Sequence, residues 1–235
     1  LQSLRITTSF LFLLLATPIM ASMNVSPIVI YFRSDQPPRQ DVTVSNPDAE
    51  VLYLETEIYR VENPGTEQEE NVRITTPAEM KLLATPNKAV IPSGNLKSIR
   101  LLSLETPSVE KVYRVTFRPV IGDIKANRTA VKILIAYQAL VFVQPEKPFW
   151  QVSASIQNRQ LQLTNTGNIN VIIRKPRYCP GTNDNDCIDL EKGRRIYSGQ
   201  SWSTPLPADI PVDKGTIKYG VYEGNQETTK TLKLG

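Results

Sequence analysis

Apolar and polar residues alternate along most of this chain, in short runs rich in Val, Ile, Tyr and Thr. Helical periodicity is almost absent after residue 22. A period of two marks strands with one face buried, and clusters of Pro, Gly, Asn and Asp separate the runs. The pattern predicts strands over Asn24–Phe32, Asp41–Ser45, Leu52–Val61, Lys97–Ser103, Val112–Val120 and Thr129–Val143. A stiff hinge, Gln144–Pro148 (QPEKP), follows. Beyond it the pattern predicts Trp150–Ile156, Gln160–Thr164, Asn170–Arg174, Arg195–Ser203, Thr216–Val221 and Thr228–Leu234. Strands at this spacing, punctuated by 18 prolines in 235 residues, predict an all-β chain of two immunoglobulin-like β-sandwich domains, 22–145 and 146–235.

Two strands stand out. In Val112–Val120, Tyr113, Val115 and Phe117 point one way and Arg114, Thr116 and Arg118 the other, which reads as a half-buried strand with a basic open face. Thr129–Val143 is apolar on both faces. Val131, Ile133, Ile135 and Tyr137 share one, and Leu134, Ala136 and Leu140 share the other with Lys132 and Gln138. Such a strand must be covered on both sides. Either it lies deep in a sheet or it waits for a partner.

Residues 1–21 follow another logic. Arg5 is their only charge, the apolar run Ser9–Ala16 (SFLFLLLA) comes next, and Ala21 or Ser22 offers a small residue at a cleavage point. This is the form of a secretory signal. The run is too short to cross about 30 Å of hydrocarbon, so the mature chain is expected to be exported and soluble, without stable membrane insertion. In an exported chain, Cys179 and Cys187 (CPGTNDNDC) are most simply a disulfide across a loop tip.

Candidate chemistry is sparse. Lys and Arg exceed Asp and Glu by only four (27 against 23), spread along the chain, and no aromatic residues interleave with a basic stripe, so nucleic acid is not an expected partner. With no histidine, Ser-His-Asp and Cys-His arrangements are excluded. No glycine loop cradles phosphate, and no carboxylate cluster has metal spacing. Asp184, Asp186 and Asp189 lack the glycine and terminal glutamate of a calcium loop, and the acidic run Glu67–Glu70 (EQEE) reads as a solvated loop. No enzyme activity, metal or cofactor is expected.

The stretch Leu83–Gly122 (LATPNKAVIPSGNLKSIRLLSLETPSVEKVYRVTFRPVIG) carries a TP-x-x-x-x-I-P-x-G turn, then KSIRL, then Y-R-V-x-F. A long apolar strand ends at Pro145, and the second domain carries L-x-L-T-N-T-G-N at Leu161–Asn168. In this order, behind a signal peptide, these pieces resemble periplasmic pilus chaperones of the PapD-like superfamily. With the paired cysteines, they look most like the alternative branch that serves adhesive (class-5-type) fimbriae. The resemblance implies two domains set in an L and a periplasmic location. It implies pilin subunits, major and tip, as clients, and an outer-membrane usher as the receiver. Such a chaperone lends its G strand to complete a subunit's sheet, a mode of strand addition for which chaperone–pilin pairs are a standing example. The donated face is then Val131, Ile133 and Ile135, with Tyr137 on the same side.

The archetypal members hold the subunit's terminal carboxylate with an arginine in the first strand and a lysine late in the G strand. Here Asn24–Phe32 has no basic residue, and the lysine position falls at about Leu140. A carboxylate at an interface still needs charge-assisted partners. Arg114 is the expected anchor, with Lys111 and Arg118 as lesser candidates, Arg174 as a second-domain contributor, and Arg100 as a brace of the fold. A bare aliphatic edge also invites temporary capping by a second copy. The rival reading is a secreted two-domain adhesin, which has no need of a doubly apolar edge strand.

Overall fold

The computed structural model describes residues 23–120, 134–181, 183–206, 208, 215–223 and 226–234. The expected signal segment, Val131 and Ile133 lie outside them. The described residues form two β-sandwich domains, and their only helices are single 3-10 turns at Pro77–Glu79 and Asp184–Asp186.

The first domain contains β1 (Asn24–Ser26), β2 (Val29–Phe32), β3 (Arg39–Ser45), β4 (Leu52–Glu62), β5 (Glu70–Arg73), β6 (Leu82–Thr85), β7 (Lys88–Ile91), β8 (Leu96–Ser103), β9 (Lys111–Val120) and β10 (Tyr137–Val143). One sheet has the order β1-β3-β8-β6. The other runs β2-β10-β9-β4-β5, with β7 also against β4. Alternate residues from both sheets meet in one core: Val42, Val44, Ile99 and Leu101 from one, and Tyr113, Val115, Phe117, Ala139 and Val141 from the other. Each fully buried large aliphatic or aromatic side chain contributes roughly 1.5–3 kcal/mol.

Predicted features of this domain change. The expected first strand is really two, because Pro27 has no N–H for a ladder. Before it β1 pairs with β3 in one sheet, and after it β2 runs parallel to β10 in the other. The face of β9 opposite the core is not the open basic surface expected. Val112 is buried in a cluster shared with the second domain, and Thr116 is covered by the Gln138 amide, which donates to its hydroxyl at 3.0 Å.

The TP-x-x-x-x-I-P-x-G segment forms β6, β7 and a turn. Ile91 is fully buried, and Gly94, at φ +70°, donates its N–H to the Asn46 carbonyl at 2.8 Å. Buried Asn46 ties the turn from the other side, its amide donating to the carbonyls of Ile91 and Glu50. Arg100 forms a two-point pair with Asp41 across β3 and β8, at 2.9 and 3.0 Å, the brace expected of it.

The second domain contains β11 (Val152–Gln157), β12 (Gln160–Asn165), β13 (Val171–Ile172), β14 (Arg174–Cys179), β15 (Ile188–Asp189), β16 (Arg195–Ile196), β17 (Ser201–Pro205), β18 (Gly215–Glu223) and β19 (Gln226–Leu234). Its sheets are β11-β12-β17, β13-β16 and β15-β14-β18-β19. Leu161, Leu163, Tyr178, Trp202, Ile217 and Tyr219 fill the core. In the LTNTGN motif, buried Asn165 accepts from the Gly167 N–H at 3.0 Å. Gly167 is needed there, because a Cβ would lie 2.4 Å from the Trp150 α-carbon. The expected disulfide joins Cys179 to Cys187 across the β14–β15 hairpin.

Candidate functional site

The strand singled out as doubly apolar lies between β9 and β2, and among the described residues β2 covers only part of it. β10 begins at Tyr137, later than the alternation predicts, and pairs antiparallel with β9 along its whole length. Among the described residues its other side is covered only from Leu140 onward, where β2 starts. The Leu140 N–H donates to the Ile28 carbonyl at 2.8 Å, and the Gln144 N–H to the Phe32 carbonyl at 2.9 Å. Even-numbered amides therefore face β2, and the next one back, at Gln138, faces a side where no strand lies among the described residues. The cause is the switch at Pro27, which carries β1 to the opposite sheet.

Apolar side chains crowd this gap. Ile135 is 45% exposed, Ile28 54% and Val29 43%. The parity is continuous: Ala139, Val141 and Val143 point into the core, Tyr137 packs partly against it, and Ile135 continues the same face into the open.

At its far end β10 enters the cleft between domains. Val61, Val112 and Phe142 are buried there, with Tyr31, Leu140 and the second-domain Tyr197 packed on them. Tyr31 stacks on Phe142 with ring centroids 4.9 Å apart, and the Arg195 guanidinium lies 4.6 Å from the Phe142 centroid. Buried Glu110 bridges the domains. Its Oε1 accepts from the Asn170 N–H at 3.0 Å and from the Asn170 amide at 2.6 Å. Arg195 in turn donates to the Asn170 side-chain oxygen. Burial pushes the Glu110 carboxyl above the usual carboxylate range, against the lowering effect of the Asn170 and Gln144 amides and of Arg195. Burial also raises the Tyr197 hydroxyl.

The four anchor candidates lie in different settings. Arg114, on β9 directly opposite Leu140 of β10 and Tyr59 of β4, is half-buried in the cleft and donates to Glu69 Oε1 at 2.5 Å. Lys111 is exposed at the start of β9 and lines a small cleft cavity of about 160 Å³ with Glu110 and Tyr197. Arg118 is held by Glu55 and Glu57, each at 2.8 Å, in a surface network that includes Arg73. Arg174 stays with its own domain, 5.1 Å from the Tyr222 ring centroid and 4.0 Å from Glu227. Of the acidic residues at the hairpin tip, Asp184 pairs with Lys218, and Asp189 lies 3.6 Å from Arg177.

No family model matches the chain. Two curated relatives from Escherichia coli do: a CS1 fimbrial subunit, 32% identical over 174 residues, and a CFA/I fimbrial subunit, 30% identical over 174. Each alignment covers 69% of this chain and 72% of the relative. The crystal structure of the class 5 fimbriae chaperone CfaA superposes with a TM-score of 0.75 at 25% identity, covering 89% of this chain and 98% of that one.

This chain belongs to the class 5 fimbrial chaperones. The same fold recurs in a chaperone–tip adhesin complex of CFA/I fimbriae (TM-score 0.72, 24% identity, 90% and 98% coverage). It recurs again in the Salmonella enterica SafA pilin–SafB chaperone complex (0.60, 10%, 92% and 99%).

Sequence reasoning did not find several residues that shape this chaperone's cleft. Glu69 hid in an acidic run that looked like solvated loop. Glu110, Asn170 and Arg195 are separated by up to 85 positions and carry no local pattern; only the pairing of the two domains unites them. One signal was available. Phe142 and Leu140 break the rule that a lone sandwich exposes one strand face, and so they mark the face that another domain covers.

Proposed function

We propose that this chaperone works in the periplasm, capturing fimbrial subunits that lack a strand and passing them to an outer-membrane usher. The first half of the G strand, Val131, Ile133 and Ile135 with Tyr137 at the rim, enters the subunit's groove. Arg114 holds the subunit's terminal carboxylate, with Lys111, Arg118 and Arg174 as secondary contributors. Residues 1–21 direct export and are removed, 22–145 form the donor domain, and 146–235 form the second wall of the cleft. No reaction is catalysed; the work is done by burial and strand pairing. In the free state a second copy can shield the same edge.

The observation that carries this reading is the side of β10 ahead of Leu140, which no strand covers among the described residues, flanked by exposed Ile28, Val29 and Ile135. Unpaired edges with aliphatic side chains are aggregation hazards that stable monomers blunt, so a bare one points to a partner that needs it. Three aliphatic side chains at ~1.5–3 kcal/mol each could supply much of the affinity before ordering costs. The test is periplasmic co-expression with a candidate major pilin, scoring recovery of a one-to-one complex. Ile133→Asp and Ile135→Asp should each abolish recovery while leaving the chaperone folded. Pilin recovery equal to wild type in both variants would discard strand donation, and no complex with wild type would favour an adhesin.

A further inference from the structure

Glu69 is the one acid of the Glu67–Glu70 run that is drawn out of solvent; Glu67 and Glu70 are exposed. Its side chain is 25% exposed and that of Arg114 31%, with 2.5 Å between Oε1 and Nη2. Its other oxygen, Oε2, accepts from the Gly65 N–H at 2.7 Å. The chain between β4 and β5 is coiled tightly to deliver it, with Thr66 N–H bonded to the Asn63 carbonyl and Glu69 N–H to that of Thr66. The coil is seated on the second domain. Gly65, at φ +79°, lies so close to Tyr197 that a Cβ would come within 2.8 Å of the ring.

The contrast with Arg118 is informative. Its acids, Glu55 and Glu57, stand on β4, which pairs with β9 in a regular ladder, so they are fixed there by the sheet. Glu69 comes from a loop outside any strand and can leave without breaking a ladder.

We infer that in the free chaperone Glu69 holds the place on Arg114 that the subunit's terminal carboxylate takes on capture, so that binding exchanges one carboxylate for another. This rests on the reading of Arg114 as the anchor. The exchange has a physical rationale. A half-buried guanidinium without a counter-charge is costly, and a resident carboxylate keeps Arg114 extended, aimed and neutralised until the client arrives. It also sharpens selection, because only a ligand bearing its own negative charge can replace Glu69 without loss; a neutral chain end cannot. Glu69 is thus a specificity-determining residue.

The test is calorimetric titration of the mature chaperone with a synthetic peptide of about the last twelve residues of a major pilin that it captures on co-expression. The peptide is made once with a free carboxylate and once as the amide. Wild type, Glu69→Gln, Arg114→Ala and the double variant are compared. Glu69→Gln is expected to bind the carboxylate peptide about tenfold tighter than wild type, the scale of one charge-assisted hydrogen bond. The amide peptide should gain nothing, and the gain should vanish when Arg114 is also replaced. If wild type prefers the carboxylate and Glu69→Gln binds it no better, Glu69 merely aims Arg114 and the exchange is refuted. If neither wild type nor Glu69→Gln distinguishes the peptides, the anchor assignment itself falls.

Discussion

Arg114 and Leu140 stand directly opposite one another on β9 and β10. Cross-strand partners share a face of the sheet. The guanidinium therefore rises from the same face as Leu140, the position at which the resemblance to pilus chaperones puts a lysine. Arg114→Ala should reduce recovery of the pilin complex at least about tenfold, in line with losing a charge-assisted bond. Adding Leu140→Lys should restore part of it, since the new ammonium would rise from the same face. Pull-down of the two variants side by side decides the matter, and a double variant no better than Arg114→Ala would separate the two positions.

Phe142 is the centre of the interdomain packing, with Tyr31 stacked on its ring and the Arg195 guanidinium also against it. Phe142→Ala should cost about 3–5 kcal/mol, as for other fully buried aromatic side chains. Arg195→Ala should cost less, about 1 kcal/mol, the scale of a partly shielded cation–π contact. Urea unfolding of the mature chain measures both; a Phe142→Ala loss no larger than that of Arg195→Ala would be contrary to this ranking.

Glu110 gives the cleft a pH dependence with a definite sign. Its folded-state pKa lies above the ordinary value of 4.5 because burial disfavours the charged form. A raised carboxyl pKa means that the folded state binds the proton more tightly than the unfolded state does. Stability from this group is therefore present below the ordinary value and is lost as pH rises through the folded value. Glu110→Gln removes that contribution. As pH falls from neutral towards the ordinary value, wild type should gain stability relative to Glu110→Gln. Denaturant midpoints at neutral and mildly acidic pH check the sign; a wild type that loses ground to the variant on acidification would overturn it.

The Cys179–Cys187 bridge spans a separation of only eight residues. Loop-closure entropy for so small a ring is about 2–3 kcal/mol. Replacing both cysteines by Ser should lower stability by about that amount, read by urea unfolding. Pilin capture should survive wherever the variant stays folded, since the donor edge and Arg114 belong to the other domain. Loss of capture in a folded variant would tie the hairpin to the client.

Alternation alone located the strands that matter most. Tyr113, Val115 and Phe117 face the core as the period of two requires, and the stretch running into Val143 is apolar on both faces because one face meets its own domain's core and the other the second domain. Several elements escaped: β5, β6 and β7 are four residues each and β15 is two, too short for periodicity to register, and β14 beyond Arg174 was missed as well. The break at Pro27 was visible as a proline but not as a change of sheet, because nothing local says which neighbour a strand will choose. The cleft was the least legible part. Arg114 could be nominated from its face on β9, whereas Glu69, Glu110, Asn170 and Arg195 meet only through tertiary packing.

Any segment zipping along the bare side of β10 must halt at Ile28, whose carbonyl already takes the Leu140 amide. The chaperone's own β2 is thus a fixed stop. It sets how many residues a guest can register against the strand, and so gauges the depth of insertion by the host's geometry, whatever the length of the guest.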